Sequence, residues 1–166
     1  MYNSSIRNIR GGEMKAVMIA FFLLIFSGTA FAASCSKVEL RDIQGLFGGQ
    51  SLVLKSSGEF VTRIVKPVHN RLYEKRYVGR VNFAEVVRGL DLAQLDHYRE
   101  TVRAGMPDES RPKIRVWFTN GAVKGYSKWA EDSDEHFDRV YRKLLKLAHA
   151  KNGRLVYSGN YAGTTR

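Results

Sequence analysis

The chain has 166 residues, 27 Lys plus Arg against 16 Asp plus Glu for a formal net charge of +11, and one cysteine. One cysteine excludes an internal disulfide framework, and the length suits one domain with an ordinary core rather than a multidomain assembly. The positive balance points to anionic partners and carries no information about fold.

Residues 1–13 are polar and lack a periodic apolar pattern, and Gly11-Gly12-Glu13 could be encoded by a purine-rich ribosome-binding sequence. They read as an upstream extension, with translation starting at Met14. Residues 14–34 read as a signal peptide: Lys15, an apolar run from Ala16 to Phe26, then the small residues Ser27 and Gly28. A retained anchor competes, because no charge interrupts Lys15 to Lys37 and a spanning helix needs roughly 20 mostly apolar residues. The dense apolar stretch stops at Phe26, which favours cleavage.

Two cleavage readings stay open. Ala30-Phe31-Ala32 suits the general signal peptidase and leaves Ala33 as the mature start. Ala32-Ala33-Ser34-Cys35 resembles a bacterial lipobox with Ala32 in place of the usual Leu, Val or Ile, which makes Cys35 a lipid attachment point. Either way the protein is expected to be exported, periplasmic or secreted, and lipid-anchored in the second case. Removing residues 1–34 takes away Arg7, Arg10, Lys15 and Glu13 and leaves +9. Outside the cytosol the expected partner is an anionic envelope component or another exported protein, and nucleic acid is not expected. A solvated basic surface without a dedicated ligand is the bland alternative.

Residues 35–49 read as a tether ending in a glycine turn, outside the folded core. The domain is placed at 50–157. Ser51–Lys55 and Phe60–Val65 flank the turn signal Ser56-Ser57-Gly58-Glu59 and make a hairpin. Pro67 to Arg71 reads as loop and Tyr73 to Val81 as a third strand. Asn82 with Glu85 is a capping-box variant, opening a short helix whose stripe is Phe83, Val86, Val87 and Leu90. Asp91 to Arg103 fits either a second amphipathic helix or a wrapped connection. Gly105 to Pro112 is loop.

Asn120-Gly121 is the preferred pair for a two-residue type I′ turn. That turn pairs Phe118 with Val123, Val116 with Gly125 and Arg115 with Tyr126. Ile114, Val116, Phe118 and Val123 then share one face, and Arg115, Trp117, Lys124 and Tyr126 the other. Asp132 to Glu135 is a second capping-box variant, opening a long helix with the core stripe Phe137, Val140, Tyr141, Leu144, Leu147 and Ala148. Asn152-Gly153 stops it, Leu155 to Tyr157 suits a last short strand, and 158–166 is a polar tail. The order implies an α+β domain. Its antiparallel sheet has about five strands, covered on one face by one short and one long helix.

Motifs for zinc proteases, nucleotide-binding loops, nucleophile elbows and paired-cysteine redox sites are absent from the sequence, so no metal or cofactor is expected. His69, His97, His136 and His149 share no metal-ligand spacing. Asp108 and Glu109 offer paired carboxylates for a small hydrolase, or else rigidify a turn and pair with Arg111. The more suggestive group is Arg115 and Lys124 beside Trp117 and Tyr126, cations and π faces that stack on rings and hold anions. The alternative is that a helix covers the aromatics while the basic stems lie over them.

Gly48-Gly49, Phe83 to Leu90, Pro107-Asp108, Ile114 to Tyr126 and Phe137 to Leu147 follow an order similar to that of the emfourin family of inhibitors of thermolysin-like metalloproteases. The likeness is architectural and spans most of the mature chain. It implies a protease inhibitor with Gly48 and Gly49 near an inhibitory loop. The sequence thus frames three classes: a non-catalytic envelope binding or structural domain, a protease inhibitor, and a hydrolase using Asp108 or Glu109.

Overall fold

In a computed structural model, residues 35–149 and 153–163 are described. The upstream extension, the signal segment, Asn152 and the end of the polar tail lie outside them. The first strand, β1, runs from Cys35 to Gln44. Its sequence alternates Lys37, Glu39 and Arg41 with Val38 and Leu40, and the two apolar residues are fully buried. That period of two is a half-buried strand signal, so the segment expected to be a tether is instead an interior strand of the sheet. Cys35 is correspondingly 3% exposed and belongs to the core.

β2 (Gly48–Lys55), β3 (Glu59–Val68) and β4 (Arg71–Arg80) follow as a meander. The loop expected at Pro67 to Arg71 shrinks to a two-residue turn, because Val68 pairs with Arg71. His69 and Asn70 have φ of 47° and 61°, the positive values a type I′ turn requires. Next come α1 (Phe83–Leu90), a 3-10 helix (Leu92–Asp96), β5 (Lys113–Phe118), β6 (Val123–Ser127), α2 (Glu135–His149) and β7 (Arg154–Asn160). The strands form one sheet in the order β6-β5-β1-β2-β3-β4-β7, every pairing antiparallel. The domain is α+β as expected, with seven strands among the described residues rather than about five. β1 is the strand not expected, and the last short strand expected at Leu155 to Tyr157 is present as β7, longer than expected, reaching Asn160 and taking in the start of the expected tail.

Asn82 caps α1 as the capping pattern requires, its side chain accepting from the Glu85 amide at 3.2 Å. The cap of α2 is displaced from Asp132 to Asp134, which accepts from the Phe137 amide at 2.8 Å. Asp132 is drawn away by Arg103, whose Nε donates to it at 2.8 Å. Phe137, Val140, Leu144 and Ala148 of α2 and Val87 and Leu90 of α1 pack on Val38, Leu40, Leu52, Leu54, Phe60, Ile114 and Val116 of the sheet. The 3-10 helix, the resolution of the ambiguous segment, adds Leu92 and Leu95 to the same layer. Among the described residues helices therefore cover one sheet face, and odd-numbered positions of β1, β3 and β5 point away from them.

The Asn120-Gly121 hairpin departs from the expected register. Phe118 N donates to Ala122 O at 2.9 Å and Gly121 N to Phe118 O at 3.0 Å, while only Gly121 has positive φ, 85°. This is a three-residue loop with the left-handed residue third, the alternative to a two-residue I′ turn. The pairs become Trp117 with Val123, Val116 with Lys124 and Ile114 with Tyr126. A one-residue slip carries a strand's side chains to the opposite face. Lys124 and Tyr126 thus join the helix-covered face, and Val123 faces the open one.

Candidate functional site

The slip divides the expected group of Arg115, Trp117, Lys124 and Tyr126 across the sheet. On the covered side, Tyr126 Oη donates to Asp96 Oδ1 at 3.0 Å, and Lys124 Nζ reaches the same oxygen at 2.8 Å. Burial, then Asp96, raises the Tyr126 pKa above the usual phenol value. These two residues tie β6 to the 3-10 helix. On the open side, Lys37 Nζ sits 3.3 Å from the Trp117 ring centroid, a close cation–π contact that occupies that face of the indole.

Asp108, Glu109 and Arg111 lie on the loop before β5 and have separate environments. Glu109 is 2% exposed and accepts from both terminal nitrogens of Arg103, at 2.9 and 2.6 Å, and from the amides of Met106 and Glu131, each at 3.0 Å. The Arg103 hydrogen bonds hold its pKa down to about 2. A carboxylate so fully engaged is a poor proton donor or base near neutral pH; what it does is join the 103–109 loop to the segment preceding α2. Asp108 is exposed with φ 65°, and its carbonyl accepts from Gln44 at 3.2 Å. Arg111 pairs with Glu100 and stacks 4.8 Å from the Trp129 ring centroid. Gly105 leaves the room that Trp129 occupies, since a Cβ there would lie 2.3 Å from the indole.

What the fold does assemble is a basic track on the open face. Lys113, Arg41, Ser51, Arg63 and Arg76 are successive cross-strand partners on β5, β1, β2, β3 and β4. At about 4.8 Å per strand the row spans about 19 Å. Glu74, 2% exposed, holds Arg76 at 2.9 Å and Arg63 at 3.7 Å, anchoring that half of the row. In the other half Arg41, Lys113 and Arg115 are exposed and lie beyond ion-pair distance of any carboxylate among the described residues. Together with Arg111 they line a groove of about 170 Å³ that also takes in Glu39 and Asp42. Asp42 is engaged by Tyr141, whose hydroxyl donates to it at 2.5 Å. A second hollow of about 280 Å³ continues from Arg41 to Arg63 and Tyr161 over Val53 and Val61.

Of the residues singled out in the sequence, Arg111 and Arg115 share this groove. Arg41, Lys113, Arg63 and Arg76 were not among them. The signal for Arg41 was present in the Lys37-to-Arg41 alternation, whereas the alignment of four cations in one row depends on register between strands. Among the described residues no group of three or more His, Cys, Asp or Glu is placed to hold a metal ion. Comparison of the chain with protein-family models, curated proteins and solved structures finds no match.

Proposed function

We propose that this chain is an exported, basic, non-catalytic binding domain of the bacterial cell envelope, and that its ligand is an anionic polymer laid across the open sheet face. The observation that carries the reading is the trio Arg41, Lys113 and Arg115: exposed, on adjacent strands, unpaired among the described residues, and lining one groove. Unsatisfied cations held by a rigid sheet raise the local concentration of polyanions and bind them with strong salt dependence. Tyr161 and the half-buried Val53 and Val61 add an apolar floor for sugar rings.

The test is binding of polyphosphate and of an oligomeric polyuronate by the mature protein over a range of salt concentrations. In the Arg41→Gln/Lys113→Gln/Arg115→Gln variant, affinity should fall at least tenfold and the slope of log K against log salt should flatten by about 2 to 3, by the counterion-release argument. Unchanged affinity and slope would remove the reading.

The same proposal includes cleavage after Ala32 rather than lipidation. Cys35 Sγ is packed in the core and donates to Lys37 O at 3.8 Å, and burial raises its thiol pKa. A thioether-linked lipid would have to displace that sulfur from the start of β1. An exported mass equal to the unmodified chain from Ala33 supports this, and a mass increase matching an acylated chain beginning at Cys35 refutes it.

A further inference from the structure

We infer that one end of the sheet is a docking tip for an anionic bilayer, separate from the groove. Antiparallel topology brings three connections to this end: the β1–β2 turn, the β3–β4 turn and the loop before β5. They present Leu46 at 82% exposure, Phe47 at 56%, Met106 at 56% and Val68 at 45%. A single exposed Leu is ordinary, but several large apolar side chains gathered on adjacent loop tips mark an interaction surface.

The tip is also built to stay exposed. Gly48 and Gly49 have φ of 76° and 131°, and a Cβ on either would fall 2.3 Å from Val65 O or 2.0 Å from Asp42 O. Leu46 and Phe47 are therefore held out by a turn locked against both neighbouring strands. They share a hollow with Gln44 and Asp108, and the Met106–Glu109 turn closes beside it through Glu109 N donating to Met106 O at 3.1 Å.

The charge around the tip selects the occupant. Lys66 and Arg71, both exposed, flank Val68 on the β3–β4 hairpin. Lys66 lies against Gly48, whose added Cβ would be 3.2 Å from its Cα. The exposed carboxylates at this end are Asp108, Glu131, whose amide donates to Glu109, and Glu100, which pairs with Arg111, so the basic flank is local to the β3–β4 hairpin. Apolar side chains that enter the acyl boundary with flanking Lys and Arg at the head groups are the physical pattern of peripheral membrane attachment. A protein partner's apolar pocket would not call for the basic flank.

The experiment is flotation of the mature protein with vesicles of phosphatidylglycerol and phosphatidylethanolamine, against vesicles of phosphatidylcholine alone. Binding to the anionic vesicles is expected. It should fall at least tenfold in Leu46→Ser/Phe47→Ser, and become less salt-sensitive in Lys66→Gln/Arg71→Gln. Phe47→Cys carrying a polarity-sensitive fluorophore should shift to the blue on binding, with buried Cys35 left unlabelled. The groove variant Arg41→Gln/Lys113→Gln/Arg115→Gln should keep its fluorophore shift, which separates failure here from failure of the polymer reading. Three results would overturn the inference: equal flotation of the serine variant, no fluorophore shift, or a wild-type dimer in vesicle-free buffer that the serine variant abolishes. Inhibition of a thermolysin-like protease lost in the serine variant, without vesicle binding by the wild type, would also overturn it.

Discussion

The placement of Tyr126 gives a sharp test of the hairpin register. In the three-residue loop it faces the helix layer and donates to Asp96 at 3.0 Å; in a two-residue I′ loop it would face solvent beside Arg115. A hydrogen bond to a charged acceptor contributes about 1.5–3 kcal/mol where water is excluded. The Asp96 side chain is 43% exposed, so solvent competes and a contribution of about 1 kcal/mol remains. Tyr126→Phe keeps the ring packing and removes only this bond. With a urea m-value of about 2 kcal/mol/M for a domain this size, the midpoint should fall by about 0.5 M. Asp96→Asn and the double variant complete a cycle whose coupling should be about 1 kcal/mol, while polyanion binding stays unchanged. A midpoint shift under about 0.1 M with zero coupling and weakened polyanion binding would refute the register and return Tyr126 to the open face.

Other consequences are equally measurable. Thr62 is 1% exposed and its hydroxyl has no hydrogen-bond partner among the described residues, so Thr62→Val should raise stability by about 1 kcal/mol in urea unfolding. Gly49→Ala should cost about 3 kcal/mol or more, read as a lowered melting temperature, because it combines φ of 131° with a carbonyl contact at 2.0 Å. The Glu109 pKa is lowered on folding from 4.5 to about 2. Its contribution is therefore present above pH about 4.5 and lost as pH falls towards 2. Trp129 fluorescence in a Trp117→Phe background should report that loosening, and Glu109→Gln should remove the transition from that window. Glu74→Gln should release Arg63 and Arg76 on the open face, lowering stability while strengthening polyphosphate binding, as isothermal titration would register.

Much of the fold was legible because its signals are local. The Asn82 cap, the apolar stripe of α2, the β2–β3 hairpin and the punctuation by Gly and Pro depend on neighbours within a few residues, and each appears where its pattern lies. β1 was missed although its alternation is clear: its position beside the cleavage region and before Gly45 favoured a tether. Whether an isolated alternating strand pairs is decided by β2 and β5 on either side of it. The two hairpin turns exchanged roles for a related reason. His69-Asn70 supports both positive φ values, whereas Asn120-Gly121 sits in a longer loop in which only Gly121 has positive φ, and the resulting register brings Lys124 and Tyr126 to Asp96.

The sequence by itself therefore determined the α+β class, the basic charge, the helix stripes and most strand segments, since propensity, periodicity and net charge are properties of short stretches. Only the tertiary structure decided which cations share a surface. Lys113, Arg41, Arg63 and Arg76 are separated by up to 72 residues and meet in one row because four strand registers align them. Lys124 and Tyr126, close to Arg115 in sequence, were sent to the opposite face by a single extra residue in a turn. A site on a sheet face is a matter of parity and register, and both are settled by long-range pairing and burial of the other face.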